Sequence, residues 1–479
     1  MHRCGMPFVV LILAGYLLDT ALEAAENKSG KPPDYLAIVK AYANAMIEHG
    51  QDVYGQEHSP LFAEELDRTT MRMLEGESLK KVAAIPYEQW GIRPHDRMLG
   101  GANPQHCQNL YQILFQLADT SGERRYAEEA ERSLQYFFEH CQSPATGLLW
   151  WGEHAGWDLR TDKPLEKGSG NTHEFYRPWV LWQHSWRLAD KACERFARGL
   201  WEHQIGDHNT GDFSRHVSIR SHGPSTDAPY ARHGGFYIET WAIAYRQTQD
   251  VVFLTAIQSV LNGLERARLQ EGGMLVSGSK REGGRAQYSV SLAVSLEEAA
   301  RYVPSDLAER MRKVASINDE AFARAHPPSQ QAAPGPADWS NAYGNGGPSA
   351  EANTCMLRYC QVPSDAYRRF VLETAERYRN SNVIPRRPLW PGTMGNVILL
   401  MLNASKLSPE AGYLQVADRF AAQAVELFLA DNCPLPKASH VHDHYEAITN
   451  GDTLMMAFLE LWLVKNRPTA KISPEFTDR

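Results

Sequence analysis

Hydrophobic positions along this chain recur with the spacing of amphipathic helices. In residues 117–138 the apolar positions of one face lie three or four residues apart: Tyr126, Ala130, Leu134 and Phe137. This spacing turns one face of a helix toward a core and leaves a charged face in water. The pattern returns in five further segments: 188–201, 245–264, 300–317, 360–378 and 407–428. These six segments are predicted to be outer helices.

More uniformly apolar segments precede the outer helices, for example 107–118, 174–189, 236–248, 287–303 and, last, 453–465. A helix that is apolar on all sides is buried between other elements. The alternation of inner and outer helices predicts an all-α fold, an α/α toroid of six or seven helical hairpins. Residues 34–50 would be the outer helix that closes the ring. An open solenoid is the alternative, but it would have short and regular linkers.

The linkers that follow the outer helices are long and rich in Gly, Trp, His and Arg: 142–172, 204–233, 266–286, 326–348, 380–396 and 429–450. Long loops without secondary structure of their own are commonly functional. In a toroid they would gather at one rim, so we expect any site to lie there.

The N-terminal segment has the pattern of a secretory signal peptide. Arg3 precedes an apolar run at residues 7–18, and small residues follow it. The run is short for a membrane span, although an uncleaved anchor is the alternative. We therefore expect a periplasmic or secreted protein with no membrane contact after cleavage. The expected organisation is as follows: signal peptide 1–25, single toroid domain 33–466, C-terminal tail 467–479.

Charge and composition limit the kinds of molecule that this protein could bind. The formal net charge is −8 and no basic stripe is visible, which argues against nucleic-acid binding. Local arginines can still bind an acidic substrate in a net-acidic protein. Six scattered cysteines follow the leader without a C-x-x-C pair. One or two disulfides between them are possible, and their spacing does not match that of a zinc site. The sequence does not fix the oligomeric state.

The predicted rim loops place aromatic residues beside arginines and histidines. The segments are 149–158, 171–182, 211–222, 230–237, 384–391 and 440–446. Flat rings stack on sugar faces and arginine forks bind carboxylates, although tryptophans also seal loop bases against a core. Side chains able to bind a divalent cation are frequent here: Glu153, His154, His173, Glu174, His216, His222, His233, His440, His442 and His444.

Residues 199–218, GLWEHQIGDHNTGDFSRHVS, resemble a stretch of the pectate lyases of polysaccharide lyase family two. The resemblance covers about residues 150–240, and Ser214 stands where the family tends to have asparagine. It implies a seven-hairpin α/α barrel, with Arg215 as catalytic base. The implied ligands of a divalent transition ion, manganese being favoured over calcium, are His154, Glu174 and His216. His173 competes with His154 for that role.

Such a lyase removes the C5 proton of a uronate and expels the oxygen at C4. A cation on the uronate carboxylate stabilises the developing charge. Arginine is a weak base in water because its pKa exceeds about 12, so its surroundings must lower that pKa. Tyr445 or His444 is the alternative base. The expected substrate-binding residues are Arg177, Trp151, Arg220, Arg232, His233, Tyr237, Arg386, Arg387, Trp390, His444 and Tyr445.

Three other functions remain open at this stage. A glycoside hydrolase on the same toroid would use paired carboxylates: Glu153, Glu174, Asp212 or Glu446. An epimerase would remove the same proton and return it to the other face. A non-enzymatic protein would bind oligosaccharide on an aromatic rim. The sequence favours an exported, metal-dependent lyase that cleaves an acidic polysaccharide, pectate in the first place.

Overall fold

The fold is that of a computed structural model. It describes residues 33–166, 172–221, 230–268, 286–328, 336–341, 347–383, 387–467 and 475–479. Residues Tyr35–Arg479 form one compact unit, to which the following description applies. The predicted signal peptide, residues 1–25, lies outside the described residues.

The described residues of this unit form sixteen α-helices. They are α1 Tyr35–Ala45, α2 Gly76–Ala83, α3 Tyr87–Trp90, α4 Gln108–Ser121, α5 Arg125–His140, α6 Trp182–Leu188, α7 Asp190–Gly199, α8 Ala231–Thr248, α9 Val251–Arg266, α10 Ala286–Ala299, α11 Ser305–Ala325, α12 Pro348–Gln361, α13 Asp365–Arg379, α14 Pro391–Leu407, α15 Tyr413–Phe428 and α16 Gly451–Asn466. The even-numbered helices from α4 to α16 form the inner layer of the ring.

Seven hairpins close into an α/α toroid, which confirms the predicted fold class. Successive inner helices pack on one another from α6 to α16, and α16 packs back on α4. The rings of Phe115 on α4 and His184 on α6 stack at 3.8 Å. Each outer helix packs on its inner partner, and the N-terminal helix α1 packs on α16. The first helix of the unit thus pairs with the last and completes the ring.

Burial follows the predicted periodicity. On the outer helix α5, Tyr126, Leu134 and Phe137 are buried, and the charged residues between them face water. Almost every residue of the inner helix α16 from Gly451 to Leu463 is buried. A helix with one apolar stripe is stable at the outside of a ring, and a uniformly apolar one is stable only inside it.

One predicted inner helix is much shorter than expected. The segment 174–189 becomes helical only at Trp182, where α6 begins. Pro178 has no backbone N–H and disfavours helix in the residue before it. The chain before it is extended, and its strand β5, Thr172–His173, leads directly into Glu174. This correction matters because an extended segment, not a helix, carries Glu174.

Three small antiparallel sheets connect the long loops. In the first, β1 (Glu65–Leu66) pairs with β7 (Tyr445–Glu446). The second has the order β2–β3–β4, with strands Gly101–Ala102, Ala155–Asp158 and Lys163–Glu166. In the third, β5 pairs with β6, Val217–Ser218. Each of these strands lies in a loop that leads into an inner helix, so the sheets connect loops at one end of the ring.

Residues 475–479, which the sequence analysis assigned to a tail, lie inside the ring. Thr477, Asp478 and Arg479 are each at most 3% exposed. The six cysteines of the described chain are free thiols, so none of them forms a disulfide. None of the described helices is long and apolar enough to span a bilayer.

A buried ion pair joins the loop before α4 to strand β7. Arg97 Nε and Nη2 donate to the two carboxylate oxygens of Glu446 at 2.7 and 2.6 Å. Burial alone would raise the pKa of Glu446. Arg97 and His444 more than reverse this effect and lower the pKa to about 2.

This pair predicts a specific acid sensitivity. The stabilisation from the Glu446 carboxylate is complete above its ordinary pKa of 4.5 and is lost as the pH falls through about 2. A shift of this size corresponds to about 3 kcal/mol. The difference in unfolding free energy between the wild type and Glu446→Gln should therefore narrow by about 3 kcal/mol between pH 5 and pH 2. Urea unfolding at a series of pH values measures it, and a pH-independent difference would contradict the assignment.

Candidate metal and active site

The carboxylate of Glu174 is the centre of a cluster of nitrogen donors, and this residue is 1% exposed. Its Oε1 lies 2.7 Å from Arg215 Nη1 and 3.3 Å from His233 Nε2. Its Oε2 lies 2.7 Å from His216 Nε2 and 3.5 Å from His154 Nε2. All four residues predicted as base and metal ligands therefore meet at one carboxylate.

Backbone pairing brings these residues together from loops far apart in the chain. His173 pairs with Val217 in the β5–β6 ladder, which places Glu174 beside His216. Gly152 forms a parallel bridge to Glu174 and so places His154 near it. Gly152 has φ +97°, and a Cβ there would lie 1.7 Å from the Glu174 carbonyl oxygen. Only glycine allows this approach.

Glu174 and its neighbour Glu153 have pKa values that their surroundings shift in opposite directions. Burial would raise the pKa of Glu174, but hydrogen bonds from His154, His216 and His233 and the charge of Arg215 hold it well below its ordinary value. Glu153 has the opposite shift, because burial and then the charge of Glu174 raise its pKa to about 8. Burial lowers the pKa of His233 to about 4. The site therefore keeps Glu174 charged and disfavours a second negative charge beside it.

His154 is oriented from its far side by a carboxylate that the sequence analysis missed. Asp96 Oδ1 lies 3.0 Å from His154 Nδ1. Arg93 Nε donates to Asp96 at 2.7 Å, and Arg93 Nη2 donates to Glu153 at 3.0 Å. The only signal in the sequence is a short charged run, residues 93–97, in a loop before α4. Nothing local shows that this run meets a loop about 60 residues further along the chain.

The donor set fits a divalent transition ion. Glu153, His154, Glu174 and His216 each offer one ligand atom, and these atoms all lie within 4.8 Å of one another. Glu174 Oε2 is buried and faces two histidine nitrogens, His216 Nε2 at 2.7 Å and His154 Nε2 at 3.5 Å. A mixed nitrogen and oxygen set suits ions such as Mn²⁺, whereas calcium takes oxygen ligands. The three predicted ligands are brought together, and Glu153 joins them.

Arg215 connects the cluster to a small cavity of about 40 Å³, lined by Arg215, Tyr230, Arg232, His233 and Tyr288. The Arg215 guanidinium lies 5.1 Å from the centre of the Tyr230 ring. Burial lowers the pKa of Arg215, but the charges of Glu174 and Glu153 outweigh burial and raise it. In this arrangement Arg215 is therefore a cation.

Trp151 and His173 belong to the core, which corrects two predictions. Both side chains are 0% exposed. Trp151 Nε1 donates to His173 Nε2 at 3.1 Å, and His173 Nδ1 lies 2.9 Å from Gln204 Oε1. Trp151 therefore cannot stack on a sugar, and both nitrogens of His173 are engaged. His154 faces the cluster in its place.

Four further residues predicted to bind substrate are almost fully buried, each at most 3% exposed: Tyr237, Trp390, His444 and Tyr445. The Tyr445 hydroxyl lies 3.1 Å from that of Tyr42, and His444 Nε2 lies 2.9 Å from Glu446. Composition correctly indicated aromatic loops but not which rings face the core. Tyr445 and His444 are too buried to contact a substrate, so neither can be the alternative base.

The predicted arginines have three different surroundings. Arg220 is exposed, with its guanidinium 5.1 Å from the centre of the Trp150 ring. Arg387 is also exposed. Arg177 is 1% exposed and lies 2.7 Å from Asp478, so an internal carboxylate occupies it. Arg232 lines the cavity beside Arg215. Arg386 and His222 lie outside the described residues.

Comparison with known sequences gives one family. The sequence model of a family described as periplasmic pectate lyase matches residues 88–256. This match confirms the resemblance predicted over residues 150–240. The matched region also includes the loop that carries Arg93 and Asp96.

Several solved structures align with most of the chain. A D-mannose isomerase is 10% identical, covers 91% of this chain and 99% of its own, and gives a TM-score of 0.49. The GH76A α-1,6-mannanase from Salegentibacter sp. HEL1_6 is 9% identical over 89% and 100% of the two chains, with a TM-score of 0.43. The cellobiose 2-epimerase from Bacillus thermoamylovorans B4167 is 10% identical over 88% and 99%, with a TM-score of 0.42. At this identity the likenesses concern the fold alone.

The contact between Gly152 and Glu174 generates a prediction. Gly152→Ala combines the strain of a positive φ with a clash against the Glu174 carbonyl, and should lower the unfolding free energy by about 3 kcal/mol. Gly122→Ala is the matched control, since Gly122 has φ +77° with nothing within 4 Å of a Cβ, and it should lose about 1 kcal/mol. Urea unfolding of both variants measures the difference. Equal losses would show that the close approach at Gly152 does not exist.

Proposed function

We propose that this protein is a metal-dependent polysaccharide lyase that cleaves an acidic polysaccharide, pectate in the first place, by β-elimination. The observation that carries the proposal is the meeting of Arg215 with three metal-ligand candidates at the buried carboxylate of Glu174. The family match spans all of these positions. The family description and the leader pattern support a periplasmic or secreted location.

The cation would be held by His154, Glu174 and His216, with Glu153 beside them. Bound there, a divalent ion supplies positive charge to the carboxylate of a uronate and stabilises the negative charge that develops when C5 loses its proton. The mixed donor set favours Mn²⁺ or a similar ion.

Arg215 is the proposed base. Burial is the largest single effect on its pKa and lowers it, but the carboxylates of Glu174 and Glu153 together outweigh burial and raise the pKa. When the charge of Glu174 is compensated, burial dominates and the pKa falls. Arg215 would first release a proton to solvent, and a nitrogen of the neutral guanidine would then take the C5 proton. The electron pair of the C5–H bond becomes the C4=C5 double bond, the C4–O bond breaks, and the leaving oxygen takes a proton from water.

Positive groups around the cavity would bind the carboxylates of the polymer. Arg232 lines the cavity beside Arg215, and Arg220 is exposed on the same loop as Arg215. Arginine pairs with carboxylates through two parallel hydrogen bonds, which also orients the sugar. Arg177 has no part in this proposal because Asp478 pairs with it.

A glycoside hydrolase is the second candidate, and the opposed pKa values of Glu153 and Glu174 favour it. Paired carboxylates of glycosidases stand about 5–10 Å apart, whereas ligand atoms of these two lie within 4.8 Å. The other predicted carboxylates pair elsewhere: Asp212 with Arg266 at 2.7 Å, and Glu446 with Arg97. A pure sugar-binding role has less support because most of the predicted aromatic rings are buried.

One prediction of this proposal concerns the reaction itself. Protein freed of metal and then given Mn²⁺ should produce unsaturated uronates from polygalacturonate, seen as ultraviolet absorbance of the C4=C5 bond. Arg215→Ala should lower kcat about 1,000-fold, because general bases contribute 10²–10⁴-fold. Arg195→Ala, on the exposed face of α7, is the control and should retain wild-type activity.

Two results would contradict the lyase. New reducing ends without absorbance, lost in Glu153→Gln, would identify a hydrolase. Absence of any product from pectate and other uronate polymers, with binding retained, would identify a sugar-binding protein.

A second prediction concerns Asp96, which orients His154 from the side opposite Glu174. Removal of such an orienting carboxylate typically weakens metal affinity 10–100-fold. Asp96→Asn should therefore raise the Kd for Mn²⁺ by that factor, measured from the electron paramagnetic resonance of free Mn²⁺. Asp207→Asn changes a turn carboxylate outside the cluster and should leave the Kd unchanged. Wild-type affinity in Asp96→Asn would exclude the role.

A further inference from the structure

Residues 475–479 are docked into the ring by hydrogen bonds to their backbone and by buried charges. The Gln112 side chain on α4 accepts from Glu475 N at 2.7 Å and donates to Glu475 O at 3.0 Å. Asp478 lies 2.7 Å from Arg177 Nη2 and accepts from Asn396 Nδ2 on α14 at 2.8 Å. The segment therefore touches the inner helices α4 and α14 and the loop before α6.

Arg479 contacts α8 at two points. Its Nη2 lies 2.7 Å from Glu239 Oε1, and its backbone carbonyl accepts from Arg232 Nε at 2.6 Å. Arg232 and Glu239 are seven residues apart, which is two helical turns. Arg479 Nη1 also donates to Ser295 Oγ on α10 at 2.8 Å. One residue thus fixes the first two turns of α8 against a neighbouring inner helix.

Those two turns carry residues of the site. Arg232 lines the cavity that Arg215 also lines. His233, the next residue, lies 3.3 Å from Glu174 Oε1. A change in the position of the α8 N-terminus would move both of them relative to Glu174.

We propose that Arg479 is a positioning residue of the site: its ion pair with Glu239 holds its carbonyl against Arg232, and this contact directs Arg232 into the cavity. The role of Arg232 in binding a uronate rests on the proposed function. The contact between residues 475–479 and α8 does not, so the two can be tested separately.

A simpler role for Arg479 would be to neutralise the buried carboxylate of Glu239. The double variant Arg479→Ala/Glu239→Gln separates the two roles, because it removes both charges and leaves neither buried and unpaired. If neutralisation is the whole role, the double variant behaves as wild type. If the ion pair places this main-chain oxygen, Arg232 Nε loses it as an acceptor in the double variant as well, while the hydrogen bond from Arg232 Nη2 to Tyr176 O at 2.9 Å is retained.

The experiment compares the wild type, Arg479→Ala, the double variant and the control Arg187→Ala, all with residues 475–479 present. Arg187 is an exposed arginine of α6 that pairs with Glu131 on the outer helix α5. The first readout is hydrogen–deuterium exchange of peptides that cover residues 231–238. The second is KM and kcat on polygalacturonate with Mn²⁺, well below the unfolding temperature of each variant.

We expect at least tenfold faster exchange at residues 231–238 in both Arg479 variants. We also expect a KM about tenfold higher, with kcat within about twofold of wild type. Arg187→Ala should match wild type in both readouts. Wild-type exchange and KM in the double variant would overturn the proposal. If the wild type cleaves no uronate polymer, the proposed function fails, and the exchange readout alone decides the positioning role.

Discussion

An isolated carboxylate in a protein interior takes up a proton more readily than it stays charged. Glu174 is 1% exposed, so its charge exists only because nitrogen donors surround it. These donors come from two loops, those before α6 and before α8, and from the start of α8. The β5–β6 pair and the bridge at Gly152 bring these loop segments to the same carboxylate. This part of the rim is arranged around the compensation of one charge.

The two oxygens of Glu174 have different neighbours. Oε1 faces Arg215 and His233, at the edge of the cavity, whereas Oε2 faces His154 and His216. One carboxylate therefore lies between a candidate base and a candidate ion. A change in the charge beside Oε2 would alter the electrostatic potential at the Arg215 guanidinium beside Oε1, because a single carboxyl group separates them. Proton transfer and metal binding would be coupled through Glu174 without any movement of the backbone.

The sequence predicts the ring well because each helix carries its own periodic signal. The inner segment at 174–189 is the exception, since its apolar residues hide the effect of Pro178, and helix α6 begins only at Trp182. Arg215 and His216 were found because they are adjacent in a recognisable run. Asp96 was missed because its contact with His154 joins two loops, and such pairing has no local pattern. Trp151 was misplaced because composition does not distinguish a ring in a cleft from one in the core.

A ring of helices has a central hole, and a linear polymer in contact with such a protein has two geometric options: it can thread the hole or it can lie across the rim. Residues 475–479 occupy the hole, with Thr477, Asp478 and Arg479 buried between the inner helices. Threading is therefore closed to a polysaccharide. A polymer bound at Glu174 would therefore lie across the rim and not through the ring. In that geometry the width of the hole would set no limit on its length.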